Sequence, residues 1–308
     1  MPTPAVHREP IALPDFFAEG LAWDRSHERL LLAGIVDQSI VAVDLRGGVP
    51  RRFAAPVRGW SVFGVAIDPS RELVWAACAA VPQGRTLPGD VGRAGLFAFA
   101  LGDGAAKLER LTPANDGVTH LFGDLAIGTG GNVYVTDTTG GGVFSSAVDH
   151  DDLRVVVPAG TFRSVQGIVV LDATTLVVAD YSAGLVGVTL DDLGVARDVA
   201  VIERPAEVDL RGIDGLALRG RSIAAVQNGA NPPQVLRIEL SDDAKRIESA
   251  AVLLVPEPAD GEPTLASFVD DEVWVTQTDR WDRVFDKDGR PRAAVPIAAP
   301  VVLRIPWL

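Results

Sequence analysis

The chain has 308 residues, 47 % of them hydrophobic, which supports a full core and excludes an intrinsically disordered chain. Its 28 Lys and Arg face 41 Asp and Glu, a net charge of −13 that excludes nucleic acid and anionic membranes as partners. The lone cysteine, Cys78, forbids an intrachain disulfide and reads as a small core side chain within Leu73-Val74-Trp75-Ala76-Ala77-Cys78.

Met1-Pro2-Thr3-Pro4 lacks the basic start and apolar core of a secretion signal, so the expected location is the cytoplasm. No apolar run approaches the ~20 residues needed to span a bilayer. The stretch Val6 to Leu13 is strand-like and has no partner nearby in sequence. After it a short phrase begins and recurs every 43 to 60 residues. Its copies are Glu19-Gly20-Leu21-Ala22, Phe63-Gly64-Val65-Ala66, Gly123-Asp124-Leu125-Ala126, Gln166-Gly167-Ile168-Val169, Asp214-Gly215-Leu216-Ala217 and Pro263-Thr264-Leu265-Ala266.

Each copy leads into a turn and then a second apolar run. In chain order these runs are Leu30–Ala33, Leu73–Ala76, Val133–Thr136, Leu176–Ala179, Ile223–Val226 and Val273–Thr276. The turns are rich in Asp, Gly, Asn and Ser, and the runs are β-branched or aromatic without a helical period. Third strands follow at Ser39–Asp44 and Val235–Ile238; their alternation reads as a half-exposed outer strand. Six such units predict an all-β, six-bladed β-propeller in one domain spanning residues 1–308. The stretch at Val6 is expected to complete the last blade beside Val301–Ile305 and so close the ring. A β-sandwich rarely holds one phrase in register six times. Two insertions, residues 81–90 and 279–300, are expected on the binding face.

Ring closure brings the first residues of the phrases, Glu19, Phe63, Gly123, Gln166, Asp214 and Pro263, toward one axis. Glu19, Asp214, Gln166 and the neighbouring Asp124 then offer hard oxygen donors to a divalent cation, Ca²⁺ above all, with Zn²⁺ or Mn²⁺ as alternatives. Each acid alone is an ordinary turn residue; three oxygen side chains at one repeat position are harder to explain that way. His120, Arg163 and Arg211 each stand three residues before a phrase, at the expected channel mouth. His120 could act as acid or base, and the arginines could hold a carboxylate or an oxyanion. Trp60, Phe63 and Phe122 are candidates for an apolar wall. His7, His27 and His150 receive no role. No Gly-x-Ser-x-Gly elbow, His-Glu-x-x-His or phosphate-binding loop is present.

The phrases at Glu19–Asp24, Asn132–Asp137, Gln166–Ile168 with Leu176–Asp180, and Asp214–Ala217 resemble the senescence marker protein / gluconolactonase / luciferin-regenerating enzyme-like family. That group includes regucalcin-like lactonases and, more distantly, diisopropyl fluorophosphatase and paraoxonase. The resemblance covers nearly the whole chain. It implies a propeller with a channel metal that hydrolyses lactones, its metal Glu falling on Glu19 and its metal Asp on Asp214. The chain departs from the family at Gln166, where Asn is usual, and at Gly123-Asp124, where Asn-Asp is common. The expected function is a metal-dependent hydrolase of a lactone or cyclic ester, a carboxylate of the set (Glu19 or Asp214) or His120 taking the proton. Its substrate is a small molecule. The alternative is a non-hydrolytic propeller without a metal, a condensation or isomerisation enzyme or a small-molecule binder.

Overall fold

The computed structural model describes residues 5–149, 151–257, 261–293 and 295–307; His150 lies outside them. Strand β1 (His7–Pro10) comes first. Blade one holds β2 (Ala18–Asp24), β3 (Arg29–Gly34), β4 (Ser39–Val43) and β5 (Arg51–Ala54). Blade two holds β6 (Ser61–Asp68), β7 (Leu73–Ala79), β8 (Ala94–Ala100) and β9 (Ala106–Leu111). Blade three holds β10 (Phe122–Ile127), β11 (Val133–Asp137), β12 (Gly142–Ser146) and β13 (Arg154–Val157). Blade four holds β14 (Val165–Asp172), β15 (Thr175–Asp180), β16 (Gly184–Leu190) and β17 (Ala196–Val201). Blade five holds β18 (Gly215–Arg219), β19 (Ser222–Gln227), β20 (Gln234–Leu240) and β21 (Ile247–Leu254). Blade six holds β22 (Glu262–Val269), β23 (Glu272–Thr278), the short helix α1 (Trp281–Val284) in its insertion, and β24 (Val301–Pro306).

These strands form six four-stranded antiparallel sheets, a six-bladed β-propeller. Each inner strand touches the next around the ring, and β22 touches β2. As expected, β1 is the outer strand of blade six, with His7 opposite Arg304 and Pro10 opposite Val301. One expectation needs correction: the third strands are interior. Strand β4 is buried throughout, because β5 covers it. The outer strands are the fourth ones, such as β9 and β17, whose side chains are largely exposed or half-buried.

The turns after the inner strands follow from their residues. The Asp24 carboxylate accepts from Ser26 Oγ at 2.6 Å and the His27 amide at 3.2 Å, and Asp68 and Asp172 hold their turns in the same way. At the phrase itself the inner strand bulges in most blades. Glu19 and Gly20 together oppose one residue of β3, and Gln166 and Gly167 oppose one residue of β15. A bulge takes its residues out of the ladder and re-aims their side chains, here into the channel.

The phrase glycine has a packing reason. A Cβ on Gly20 would lie 2.5 Å from the Phe63 carbonyl oxygen, and one on Gly215 would lie 2.5 Å from that of Thr264. Gly64 and Gly167 face the carbonyls of Gly123 and Asp214 in the same way. In these four units the glycine therefore admits the backbone of the next blade at the first phrase position. By this geometry Thr264, not Pro263, occupies that position in blade six. Its hydroxyl donates to the Glu19 carbonyl at 2.8 Å and ties blade six to blade one. In unit three, where Asp124 replaces glycine, its Oδ2 accepts from the Ile168 amide of blade four at 3.3 Å.

Substituting Gly215 by Ala is expected to destabilise the fold by about 1–3 kcal/mol, because the methyl group meets backbone that cannot rotate away. Gly102→Ala, where nothing lies within 4 Å, should change stability by less than about 0.5 kcal/mol. Urea unfolding of the two variants checks this; equal midpoints would refute the close-approach account.

Candidate active site in the channel

Two cavities open along the axis. The larger, about 470 Å³, is lined by aliphatic side chains of the inner strands, such as Leu21, Val65, Ile168 and Leu216. The smaller, about 290 Å³, holds the polar groups and lies at the end from which the inner strands begin. Asp124 lines both and marks the waist between them.

Five of the six expected axis residues line the smaller cavity: Glu19, Phe63, Gly123, Gln166 and Asp214. In blade six Leu265 lines it in place of Pro263. Asp124 joins them from the second phrase position. Glu19 is 92 % shielded from solvent, and its Oε2 has no hydrogen-bond partner. Asp214 Oδ2 accepts from Asn228 Nδ2 at 2.7 Å, and Asn228 Oδ1 accepts from the Tyr181 hydroxyl at 3.1 Å. Asp124 Oδ1 accepts from the Leu125 amide at 2.8 Å, while its Oδ2 is held by Ile168. Among the described residues no Lys, Arg or His lines the cavity.

The electrostatics follow from this crowding of like charge. Burial, then repulsion from Asp214, Glu262 and Asp124, raises the Glu19 pKa well above the carboxylate range. Burial raises Asp124 to about 7, its two backbone hydrogen bonds opposing the shift and Asp214 adding to it. Asp214 is raised by burial and by Glu262, with the Asn228 hydrogen bond working against the shift. Glu262, at the start of β22, is itself raised, chiefly by burial. Tyr181 is pushed up to about 12 by burial and by the charges of Asp214 and Glu262, so its hydroxyl remains a donor.

The two departures from the family pattern form one unit here. A Cβ on Gly123 would meet Thr138 Oγ1 at 2.7 Å. The absent side chain makes room for Thr138, whose hydroxyl reaches Gln166 Oε1 at 3.5 Å, while Gln166 Nε2 donates to Ser164 Oγ at 3.1 Å.

Other expected site residues stand elsewhere. His120 is buried but does not line the cavity; its Nδ1 pairs with Asp137 Oδ2 at 2.5 Å and its Nε2 with Asp116 Oδ2 at 2.9 Å. With both nitrogens committed, it is a structural clamp and has no ring atom for a substrate. Asp137 also accepts from the Leu121 and Gly140 amides, so the pair fixes the loop entering β10. Asp180 and Gln227 fix the corresponding loops of blades four and five. Arg163 is exposed, only its backbone amide being bound, to Asp180. Arg211 is clamped on Asp209 and 65 % exposed. Trp60 is buried between blades one and two, its Nε1 donating to Asp90 at 3.3 Å, and Phe122 packs in the core on Phe144. None of these four lines the cavity; of the proposed apolar wall only Phe63 does. Cys78 is buried, and burial pushes its thiol pKa up, as a core residue requires.

The sequence reading missed Tyr181, Asn228, Thr138, Gln83, Leu121 and Trp281. Tyr181, Asn228 and Thr138 each follow the last residue of a second strand (β15, β19 and β11), so their shared repeat position is the signal in the sequence that marks them. Gln83 and Trp281 come from the two insertions, which do meet over this cavity: a Cβ on Gly289 would lie 2.8 Å from Gln83 Nε2.

No family model matches the sequence, and no curated protein matches it. Solved structures do. A luciferin-regenerating enzyme is 11 % identical, covering 97 % of this chain and 95 % of its own, with a TM-score of 0.64. The gluconolactonase XC5397 from Xanthomonas campestris is 14 % identical over 97 % of this chain and 92 % of its own, TM-score 0.63. The allergen Mala s 1 from Malassezia sympodialis is 11 % identical over 97 % and 96 %, TM-score 0.69. The neighbours thus include the group that the phrases resemble, and at these identities the likeness carries the fold alone. Among the described residues no helix is long and apolar enough to cross a membrane.

Burial opposes charge on His120, but its hydrogen bonds to Asp137 and Asp116 outweigh this and raise its pKa above the ordinary 6.5. The clamp therefore stabilises fully below pH 6.5 and fades as pH rises through the raised pKa. His120→Gln is expected to cost about 1–3 kcal/mol at the acid end and less in alkali. A stability difference independent of pH would count against a charged clamp.

Proposed function

We propose that the smaller cavity is the active site of a cation-dependent hydrolase acting on a lactone or related cyclic ester. The observation that carries this reading is the convergence of Glu19, Asp124 and Asp214 on one cavity without a cationic side chain among its lining. Grouped carboxylates away from bulk water are costly unless a cation or shared protons offset them.

The donor chemistry fits a hard divalent ion such as Ca²⁺: carboxylates, the amide oxygen of Gln166, and the partnerless Oε2 of Glu19. Among the described residues no three acidic, His or Cys groups form a ready cluster for a metal. The fit therefore rests on donor type and charge, not on a preformed cage. Glu19, Asp214 and Gln166 would hold the ion. When bound, it would polarise the ester carbonyl and acidify a water. Asn228, steered by Tyr181, keeps Asp214 turned to the cavity. Asp124, expected from sequence as a ligand, is instead pinned by two backbone amides at the cavity wall, where its carboxylate would take the proton from water. Leu265, Phe63 and Trp281 keep competing water from the ring.

The lack of a ready cluster favours one second reading, a non-hydrolytic propeller in which Glu19 stays neutral and binds a small molecule by hydrogen bonding.

Calorimetry with Ca²⁺, followed by lactone hydrolysis with and without chelator, separates the two. Binding is expected, with the melting temperature rising in step because the ion binds only the folded state. Glu19→Gln and Asp214→Asn should abolish both effects. Asp124→Asn should keep the ion and lose hydrolysis by about 10²–10⁴-fold. A wild type that binds no divalent ion would leave the second reading.

A further inference from the structure

We infer that the substrate is an uncharged cyclic ester bearing an aryl or short alkyl substituent, and that Trp281 is the residue that selects it. The inference rests on the hydrolase reading above.

Charge comes first. Among the described residues no Lys, Arg or His lines the cavity, while Glu19, Asp124 and Asp214 do, and Glu262 adds its field from the start of β22. Arg163 and Arg211, which could have received a carboxylate, stand outside. Three carboxylates outweigh one divalent ion, so an anionic substituent would still meet net repulsion.

Hydrogen bonding is the second constraint. A hydroxyl-rich ring needs free donors and acceptors at fixed places. Here the neutral polar side chains already use one another. Asn228 donates to Asp214 and accepts from Tyr181; Gln166 donates to Ser164 and accepts from Thr138. Among them Gln83 alone keeps a buried oxygen without a partner. With the carboxylates engaged by the ion, ring hydroxyls entering this cavity would lose water and find few free partners among the remaining side chains.

The third constraint is the apolar wall. Phe63, Leu121, Leu265 and Trp281 face the cavity. Trp281 is fixed from behind. Its ring meets Phe17 edge-on at 5.3 Å between centroids and Phe285 at 4.8 Å. Phe17 is fully buried one residue before β2, so this stack ties α1 to the innermost layer of blade one. The indole is a wall set before the ligand arrives, and its ordering cost is already met. At about 290 Å³ the cavity takes one ring and one modest substituent.

The test uses the full chain loaded with Ca²⁺ and compares 6-phenyl-δ-valerolactone, unsubstituted δ-valerolactone and glucono-δ-lactone. The phenyl lactone is expected to be preferred over the gluconolactone by about 100-fold in kcat/KM. Trp281→Ala should raise KM for the phenyl lactone about tenfold relative to the unsubstituted ring, and Trp281→Phe should recover most of it. A preference for gluconolactone, or an unchanged KM ratio in Trp281→Ala, would overturn the inference and leave the hydrolase reading intact. If no lactone is hydrolysed, the hydrolase reading fails, and calorimetry with the matching lactam, 6-phenylpiperidin-2-one, decides. Binding at least tenfold weaker in Trp281→Ala sustains the ligand class, and no binding to the wild type refutes it.

Discussion

The ring depends on how closely one inner strand can approach the next. At the phrase, four of the six units leave out a side chain so that a neighbouring carbonyl can stand where a Cβ would be. The other two units bridge the gap chemically: Asp124 accepts an amide from blade four, and the Thr264 hydroxyl reaches the carbonyl of Glu19. Close approach narrows the channel at this level, and the bulges turn the flanking side chains into it. Scaffold and candidate site are thus set by the same residues. Glu19 and Asp214 face the cavity because Gly20 and Gly215 let the backbone pack there.

That origin explains the electrostatics. Acids far apart in sequence gather in one enclosed space; burial raises each, and repulsion from Asp214 adds to the shifts of Glu19 and Asp124. Only neutral donors, Asn228 and two backbone amides, offset them, unlike the acids of the loops, where Asp137 holds His120 and Asp209 holds Arg211. The molecule keeps its basic side chains away from this cavity while carrying a net charge of −13. A cation approaching the mouth gains from the field of the whole chain as well as from the site.

Much of this was legible because the phrase repeats. Six copies with one turn grammar give blade number, inner-strand positions and the convergence of Glu19, Gln166 and Asp214. The clasp by β1 followed from a strand-like segment without a local mate. The errors have physical causes. Pro263 was placed on the axis by matching Leu265-Ala266 to the apolar pairs of the other units; the bulge in β22 holds Thr264 and Leu265 as that in β2 holds Glu19 and Gly20, so Thr264 takes the first position. Phe122 sits beside the phrase yet packs in the core, since alternation along a strand sends neighbours to opposite sides, and Trp60 precedes β6 and is buried between blades one and two. His120 looked catalytic because a sequence reports its chemistry and not its partners; Asp116 and Asp137 hold both its nitrogens. Trp281 lay within an insertion, where no repeat fixes direction.

The pairing of β1 with β24 has a consequence in time. The loop it closes spans nearly the whole chain, yet loop-closure entropy grows only with the logarithm of length, about 0.6 kcal/mol per doubling. Four residues of strand can therefore clasp a ring of six blades. During synthesis the order of events is inverted. His7–Pro10 leave the ribosome before any blade exists and wait for their mate at Val301–Arg304, the last strand of the ring to emerge. Until then every other blade can form from contiguous chain, and the nascent propeller is an open crescent with two raw edges at its future seam.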